Sequence, residues 1–170
     1  AITDSGTMAV SGAATFTTKK AGGAAITLDQ SGVHGFSSVK AETFTGDGTT
    51  PAAGAITIDE ASAMTIAGLT TTSTVSLTTT GAITDTGDIA AGAITINTTG
   101  GSNAAARAVT IAGETTNATS WDVSTTNGAI AIDEDSAMAI AGISTSGTLS
   151  LTTTGALTQS GAIGAGAVTV

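Results

Sequence analysis

Cysteine is absent from the 170 residues, proline, histidine and tryptophan occur once each, and aromatic residues make up only 2% of the chain. Without cysteine there is no disulfide framework, so the fold must be stabilised by packing and hydrogen bonding. A conventional globular core contains large side chains that this chain lacks. No apolar run approaches the length of about 18 residues that a membrane-spanning helix needs, so we expect no membrane insertion.

Basic residues are also scarce. The chain has 4 Lys and Arg against 13 Asp and Glu, which gives a net charge of −9 at pH 7. A nucleic-acid-binding surface would need a basic stripe, so we expect no nucleic-acid partner. Only 10% of the residues are charged, which argues against a disordered acidic tail. Threonine, serine, glycine and alanine dominate instead, and this composition favours strands and turns over helices.

A long internal repeat organises the chain. Residues 54–96 recur as residues 128–170, 74 residues later and without a gap; 15 of the 43 aligned positions differ, so 28 are identical. We therefore divide the chain into a 74-residue repeat, 54–127, and an incomplete second copy, 128–170. A repeat of this length predicts stacked structural units that each contact only their neighbours.

A shorter period of 19 residues lies inside this repeat. The triplet Ile56-Thr57-Ile58 returns 19 residues later as Val75-Ser76-Leu77. Alternation with period two points the outer residues to one face of a strand and the middle residue to the other. We therefore predict one triplet per turn of a parallel β-solenoid, with these residues in the core: Ile56, Ile58, Val75, Leu77, Ile94, Ile96, Ile130, Ile132, Leu149 and Leu151.

The triplet spacing predicts the length of the stack. Four spacings fill the 74-residue repeat, so residues 1–170 correspond to about nine turns of roughly 19 residues in one solenoid segment. The triplets are expected to form a single column, which would bring together Ile58, Leu77, Ile96, Ile132 and Leu151. Six glycines are expected to supply positive φ at corners where a Cβ would clash: Gly81, Gly87, Gly92, Gly155, Gly161 and Gly166.

Residues 31–53 interrupt the 19-residue period. The triplets that begin at Ile26 and Ile56 stand 30 residues apart, and the extra stretch carries His34, Phe36 and Pro51. We interpret residues 31–53 as a loop excursion, because variation of this kind usually lies outside the stacked strands. A short irregular turn of the solenoid through Val39 and Ala41 is the alternative.

Two acidic clusters supply the candidate metal ligands. Asp59-Glu60 and Asp133-Glu134-Asp135 stand 74 residues apart, and neighbouring carboxylates can bind Ca²⁺ through their oxygens. The glycine-and-aspartate nonapeptide of calcium-binding β-rolls is absent from the sequence. Solvated turns are therefore the favoured interpretation, and we expect no cofactor.

Catalysis is not indicated by the other polar residues. No particular serine or threonine is marked as a nucleophile for His34, the one histidine, so we interpret it as a loop residue and predict that the chain is not an enzyme. Trp121 would stack on a sugar if it were exposed, but the alternation in Trp121-Asp122-Val123 favours packing in the core or at a corner.

The middle residues of the triplets are expected to form an outward column, in which threonine is the commonest residue: Ala9, Thr27, Thr57, Ser76, Thr95, Thr110, Ala131, Ser150 and Thr169. A flat threonine array is how some β-solenoids bind ice. The positions that flank this column are mixed, so ice binding is an alternative and not the main prediction.

One stretch of the repeat resembles a known family. The pattern resembles the 19-residue repeats of filamentous-haemagglutinin-type adhesins, and the matching residues are Gly81, Ile83, Asp85, Gly87 and Ile89. These adhesins are exported by two-partner secretion. The pattern is also similar to the repeats of autotransporter passengers. That family usually has Asn where Asp85 stands here. The resemblance implies a right-handed parallel β-helix on a bacterial cell surface.

These observations favour a structural role. We expect an all-β, right-handed parallel β-helix that forms the extracellular rod or filament of a secreted, adhesin-like protein. Its expected partners are further turns or other copies stacked end to end, since neither end carries a polar cap, and host or cell-surface glycans. The alternatives are an ice- or polysaccharide-binding solenoid and a carbohydrate-active β-helix enzyme.

Overall fold

The computed structural model describes residues 1–30, 34–99, 107–113 and 115–170. These residues form strands and connecting turns without any helix, and none of the described segments is a helix able to span a membrane. The strands are β1 (Ile2–Thr3), β2 (Ala9–Lys19), β3 (Ile26–Leu28), β4 (Gly35–Phe44), β5 (Ile56–Glu60), β6 (Met64–Thr70), β7 (Val75–Thr79), β8 (Ile83–Asp85), β9 (Ile89–Asn97), β10 (Val109–Ile111), β11 (Thr116–Ser124), β12 (Ile130–Glu134), β13 (Met138–Ser144), β14 (Thr148–Thr153), β15 (Leu157–Gln159), β16 (Ile163–Gly164) and β17 (Ala167–Thr169).

The strands pair with strands further along the chain and not with their immediate neighbours. β3 pairs with β5, β5 with β7 and β7 with β9, each in parallel, and all 17 strands belong to one sheet. Parallel pairing at a constant offset requires the chain to return to the same face after each turn. The prediction of an all-β, parallel fold is confirmed, and the pairing fits a β-solenoid. We call one turn of the chain a level, so two paired strands belong to adjacent levels.

Two columns of paired residues contain the strand triplets of the repeat, and a third runs through Phe16, Ala41, Leu69, Ile89 and Thr116. The first passes through eight strands: Ile2, Ile26, Ile56, Val75, Ile94, Trp121, Ile140 and Gln159. The second passes through six strands: Met64, Ile83, Val109, Ile130, Leu149 and Val168. The inner members of both columns meet in one apolar core, and all ten predicted core residues are at most 3% exposed.

The two copies of the internal repeat lie on different faces of the stack. β5 of the first copy belongs to the first column, whereas its counterpart β12 belongs to the second. Ile58 therefore stacks on Leu77, and Leu77 on Ile96, but Ile132 stacks on Ile111 and Leu151. The expectation that the triplets form one column is wrong.

The lengths of the turns between the copies explain this difference. From β6, which follows β5 in the chain, the second column continues through β8 and β10 to β12. The repeat therefore spans three turns plus the step from one face to the next, and not four turns. The turn that lengthens the path runs from Ile96 to its partner Val123, 27 residues later.

Residues 35–44, which the sequence analysis assigned to a loop, form strand β4. This strand pairs in parallel with β2 on one side and β6 on the other, and Phe36, Val39 and Ala41 are buried. Phe36 and Val39 are both buried but stand three residues apart, so period-two alternation holds only from Val39 onward; the extra residue of the bulge opposite Val39 and Lys40 is Ala67 of β6. The loop interpretation is therefore wrong for residues 35–44, and residues 31–33 lie outside the described part of the chain.

The outward residues also fall into two files. Thr27, Thr57, Ser76 and Thr95 stack on one another, whereas a separate file contains Thr84, Thr110, Ala131, Ser150 and Thr169. Ala9 belongs to neither file, because it pairs with Gly35. The predicted single rank of threonines is therefore divided between two faces.

The predicted corner glycines are needed for close approach between levels and not for positive φ. Positive φ among the described glycines occurs at four other positions, Gly22, Gly23, Gly48 and Gly68. A Cβ on Gly81 would lie 2.5 Å from the Ala63 nitrogen, far inside van der Waals contact. Backbone atoms of an adjacent level block the other five in the same way: Gly87, Gly92, Gly155, Gly161 and Gly166.

The stacking register predicts the effect of placing a charge in the core. Leu77 is 1% exposed between Ile58 and Ile96, so Leu77→Asp should lower the free energy of unfolding by several kcal/mol, on the order of 4. Ser76→Asp, on the outward side of the same strand, should change it by less than about 1 kcal/mol. Urea denaturation followed by circular dichroism measures both, and equal effects would contradict the register.

Candidate functional site

Carboxylates accept backbone N–H groups where the strand ladder is interrupted at a corner. Glu60 is fully buried at the end of β5; its Oε2 accepts a hydrogen bond from the Phe36 N–H at 3.0 Å, and its Oε1 accepts one from the Ser62 hydroxyl at 3.0 Å. Phe36 belongs to the neighbouring level. The Glu60 carboxylate therefore accepts an N–H that a main-chain carbonyl would accept if the strand continued.

Glu134 repeats this arrangement in the second copy. It is fully buried and accepts hydrogen bonds from the Ala118 N–H at 3.2 Å, the Trp121 Nε1–H at 2.9 Å and the Ser136 hydroxyl at 2.8 Å. Trp121 itself is 0% exposed, so its ring lies in the core and not on a sugar-binding surface. Every donor to Glu134 points at a carboxylate oxygen, an arrangement that satisfies the buried group without a cation.

Aspartates fill the same role at other corners. Asp85 accepts hydrogen bonds from the Ala112 N–H at 2.7 Å and the Gly113 N–H at 3.0 Å, one level further along the stack. Asp4 accepts one from the Asp29 N–H at 3.2 Å. This function of the aspartates was not predicted, although the tetrapeptide Ala-Ile-Thr-Asp that ends at both Asp4 and Asp85 was a signal for it.

His34 joins the first levels instead of lying on an exposed loop. It is 1% exposed and stacks on Phe36 at a ring separation of 5.6 Å. Its Nδ1 accepts the Met8 N–H at 3.2 Å, and its Nε2 lies 2.9 Å from Asp4 Oδ2. Because both ring nitrogens are engaged, the imidazole is not poised as a general base. Burial raises the pKa of Asp4, but the hydrogen bonds from Asp29 and His34 outweigh it and hold that pKa below its ordinary value.

The five candidate calcium ligands are not brought together. Asp59 and Glu60 point to opposite faces of β5, as Asp133 and Glu134 do on β12. Asp135 accepts a hydrogen bond from the Thr116 N–H at 2.8 Å. Burial raises the pKa of Asp59, and the nearby His34 reduces this increase. Within the described ranges no three metal-ligating side chains cluster, and the expectation of no cofactor stays a prediction.

A surface groove lies beside β4 and β6. Its volume is about 390 Å³, and it is lined by Lys40, Glu42, Ala67, Gly68, Thr70, Gly87 and Asp88. The Lys40 ammonium lies 2.9 Å from a Glu42 carboxylate oxygen, and Asp88 accepts the Thr115 N–H at 3.1 Å. Both acids therefore already have partners, which does not favour the paired acid and base of a glycosidase.

Threonine hydroxyls link the levels at the corners that lack a carboxylate. Thr145 donates to the Gly128 carbonyl at 2.6 Å and accepts the Gly147 N–H at 2.9 Å. Thr79 makes the same pair of contacts, to the Ser62 carbonyl and from the Gly81 N–H. The recurrence of Thr two residues before Gly in both copies was the available sequence signal.

These stacked parallel strands, tied by corner carboxylates and hydroxyls, define a solenoid-like repeat protein. The chain belongs to the family described as repeats of unknown function (DUF5649), whose model matches residues 1–42 and 127–170, half of the chain. No curated protein and no solved structure matches the chain.

Removing a corner carboxylate should destabilise the stack. Glu134→Leu leaves the Ala118 N–H and the Trp121 Nε1–H buried without an acceptor, so we expect a loss of roughly 3 kcal/mol in the free energy of unfolding. The matched control is Asp133→Leu, whose side chain is exposed on the other face of the same strand, with an expected change below about 1 kcal/mol. Urea denaturation followed by circular dichroism distinguishes them; a larger loss for the Asp133 variant would refute the assignment.

Stability should also fall in acid. The Thr45 hydroxyl and two backbone N–H groups hold the pKa of Asp47 well below its ordinary value of 3.8, and the pKa of Asp4 is lowered too. A carboxyl with a lowered pKa stabilises the fold above its unfolded pKa, and this contribution is lost as the pH falls through the folded pKa. Asp59, whose pKa is raised, acts in the opposite direction. The urea midpoint should be flat from neutral pH to about pH 4 and decline below it, and Asp47→Asn should make the decline shallower. A urea midpoint that rises as the pH falls below about 4 would contradict the predicted loss of stability in acid.

Proposed function

We propose that the chain is the structural rod of a secreted, adhesin-like protein on a bacterial cell surface and that it has no enzymatic activity. The observation that carries this proposal is the parallel pairing of each level with its neighbours along the whole described stack. In such an architecture length is set by the number of levels and stability by contacts between adjacent levels.

The finer geometry belongs to the same proposal. We infer a right-handed solenoid, because parallel strands joined by crossovers are right-handed in almost all known cases. The longer column has eight members, which supports eight turns in place of the expected nine. At the usual strand spacing of about 4.8 Å, eight levels give a rod on the order of 35 Å long.

Surface display rests on the resemblance to haemagglutinin-type repeats. Asp85 stands where that family usually has Asn, and its side-chain oxygens accept two backbone N–H groups of the next level. An asparagine side chain carries a single oxygen acceptor, so in this arrangement it would take only one of these two N–H groups, whereas the carboxylate of Asp85 takes both. The resemblance therefore rests on the glycine and isoleucine positions of the pattern and not on position 85.

The proposed partners are further turns of the same polypeptide or other copies stacked end to end, together with surface glycans. Among the strands of the described residues, β2 pairs only with β4 and β17 only with β14, so each of these two strands has one edge without a strand partner in that part of the chain. Val168 and Val170 are 53% and 76% exposed beside the second of these edges. Open strand edges with exposed apolar residues favour the addition of another strand.

Polysaccharide binding is the second candidate function. The Thr65 and Thr84 hydroxyls of adjacent levels lie 3.4 Å apart, and Thr110 follows them in the same file, so three successive levels offer hydroxyls to a polar ligand. The division of the threonines between two faces does not favour a flat ice-binding plane.

The rod proposal predicts how the particle grows. Insertion of a second copy of residues 54–127 after residue 127 preserves the sequence context of the junction with 128 and adds just over three levels. Small-angle X-ray scattering should show a length increase on the order of 17 Å at constant cross-section. An unchanged length or a wider particle would contradict the rod, and beads coated with the protein test adhesion to glycan-bearing surfaces separately.

A further inference from the structure

We propose that Asn127 is a site of spontaneous covalent modification, at which deamidation converts it to aspartate or isoaspartate and loosens one corner of the stack. Asparagine is a thermolabile residue, and a following glycine removes the side chain that would hinder attack by the next backbone nitrogen. Asn127-Gly128 is the one Asn-Gly pair in the sequence.

The local structure leaves the reacting groups available. Asn127 is exposed in the bend between β11, which ends at Ser124, and β12, which begins at Ile130. In the described part of the chain the Gly128 N–H donates no hydrogen bond, so the reaction breaks no strand ladder. Gly128 itself is buried against the Arg107 backbone, so ring closure requires a local shift of this bend but no break in the strand ladder.

The reaction needs only water. The Gly128 nitrogen attacks Asn127 Cγ, so a new N–Cγ bond forms while the Cγ–Nδ2 bond breaks, and ammonia leaves with the proton from the Gly128 N–H. Water then adds to one carbonyl of the succinimide ring. Opening at one carbonyl gives aspartate, and opening at the other gives isoaspartate, in which the main chain runs through the former side-chain carbon.

The other described asparagines lack these features. Asn97 is followed by Thr98, and its Oδ1 is engaged by the Thr99 N–H at 2.9 Å and by the Thr99 hydroxyl. Asn117 lies within β11 and is paired with Ala90, so its backbone is held in the ladder. These two residues serve as internal references for the rate at Asn127.

The modification would fall on a contact that joins two levels. The Gly128 carbonyl accepts hydrogen bonds from the Thr125 hydroxyl at 3.0 Å and the Thr145 hydroxyl at 2.6 Å. Gly147 packs against the same corner, where an added Cβ would lie 2.8 Å from the Gly128 carbonyl oxygen. Isoaspartate lengthens the main chain by one carbon at this point, which displaces the carbonyl from both hydroxyls.

The first copy of the repeat provides a natural control. Ala53 and Gly54 occupy the positions of Asn127 and Gly128, and the Gly54 carbonyl accepts the Thr71 hydroxyl at 2.6 Å. The corner therefore forms with alanine before the glycine. Asn127→Ala should fold normally and lack the reactive side chain.

The experiment incubates the folded chain and Asn127→Ala in mildly alkaline buffer, maps peptides by mass spectrometry and measures the urea midpoint of fresh and aged samples. We expect isoaspartate to accumulate several-fold faster at Asn127 than at Asn97 or Asn117, and the midpoint to fall on ageing in the natural chain only. Equal rates at the three asparagines would overturn the proposed site. An unchanged midpoint in fully modified protein would overturn the proposed loosening of the corner.

Discussion

Backbone N–H groups at the corners of the stack need acceptors, because the parallel ladder that satisfies the strands stops there. Carboxylates supply many of these acceptors, and at least seven of the 13 acidic residues accept a backbone N–H: Asp4, Asp47, Glu60, Asp85, Asp88, Glu134 and Asp135. An anionic acceptor makes a stronger hydrogen bond than a neutral one. Backbone hydrogen bonding therefore accounts for at least seven of the 13 acidic residues.

The same constraint determines where small residues occur. Levels are separated only by the strand spacing, so a corner that bends towards its neighbour has no room for a Cβ, as at Gly81 against Ala63. Other corners carry a threonine, whose hydroxyl donates to a carbonyl of the adjacent level and accepts an N–H from its own level. Thr145 does this with the Gly128 carbonyl and the Gly147 N–H. The corners are therefore occupied by glycine, threonine and acidic residues, while aliphatic residues fill the interior.

Sequence alternation was sufficient to identify the triplet strands of the repeat and their ten aliphatic core residues, but not the faces they occupy. Ile58 and Ile132 are equally buried in different columns, because an aliphatic triplet fits any face of a narrow solenoid. The face depends on the summed lengths of the intervening turns, and one long turn between Ile96 and Val123 changed it. β4 was missed because its buried residues Phe36 and Val39 stand three residues apart and break the period-two pattern. Glu60 and Glu134 were missed because paired acids were assigned to solvated turns.

The two copies of the repeat lie on different faces but keep the same strand pairing, so the pairing of a level does not depend on which face it occupies. Strands β12 and β14 reproduce the contacts of β5 and β7 residue for residue, although they lie on another face. Nearest-neighbour stacking makes this possible, since a level is stabilised by the registers directly above and below it and by its own corner acceptors. A repeat that moves to the next face with each copy also presents its outward residues in successive directions around the axis. The same local contacts thus occur on two faces of one stack, which supports the proposed rod, whose length depends on the number of levels.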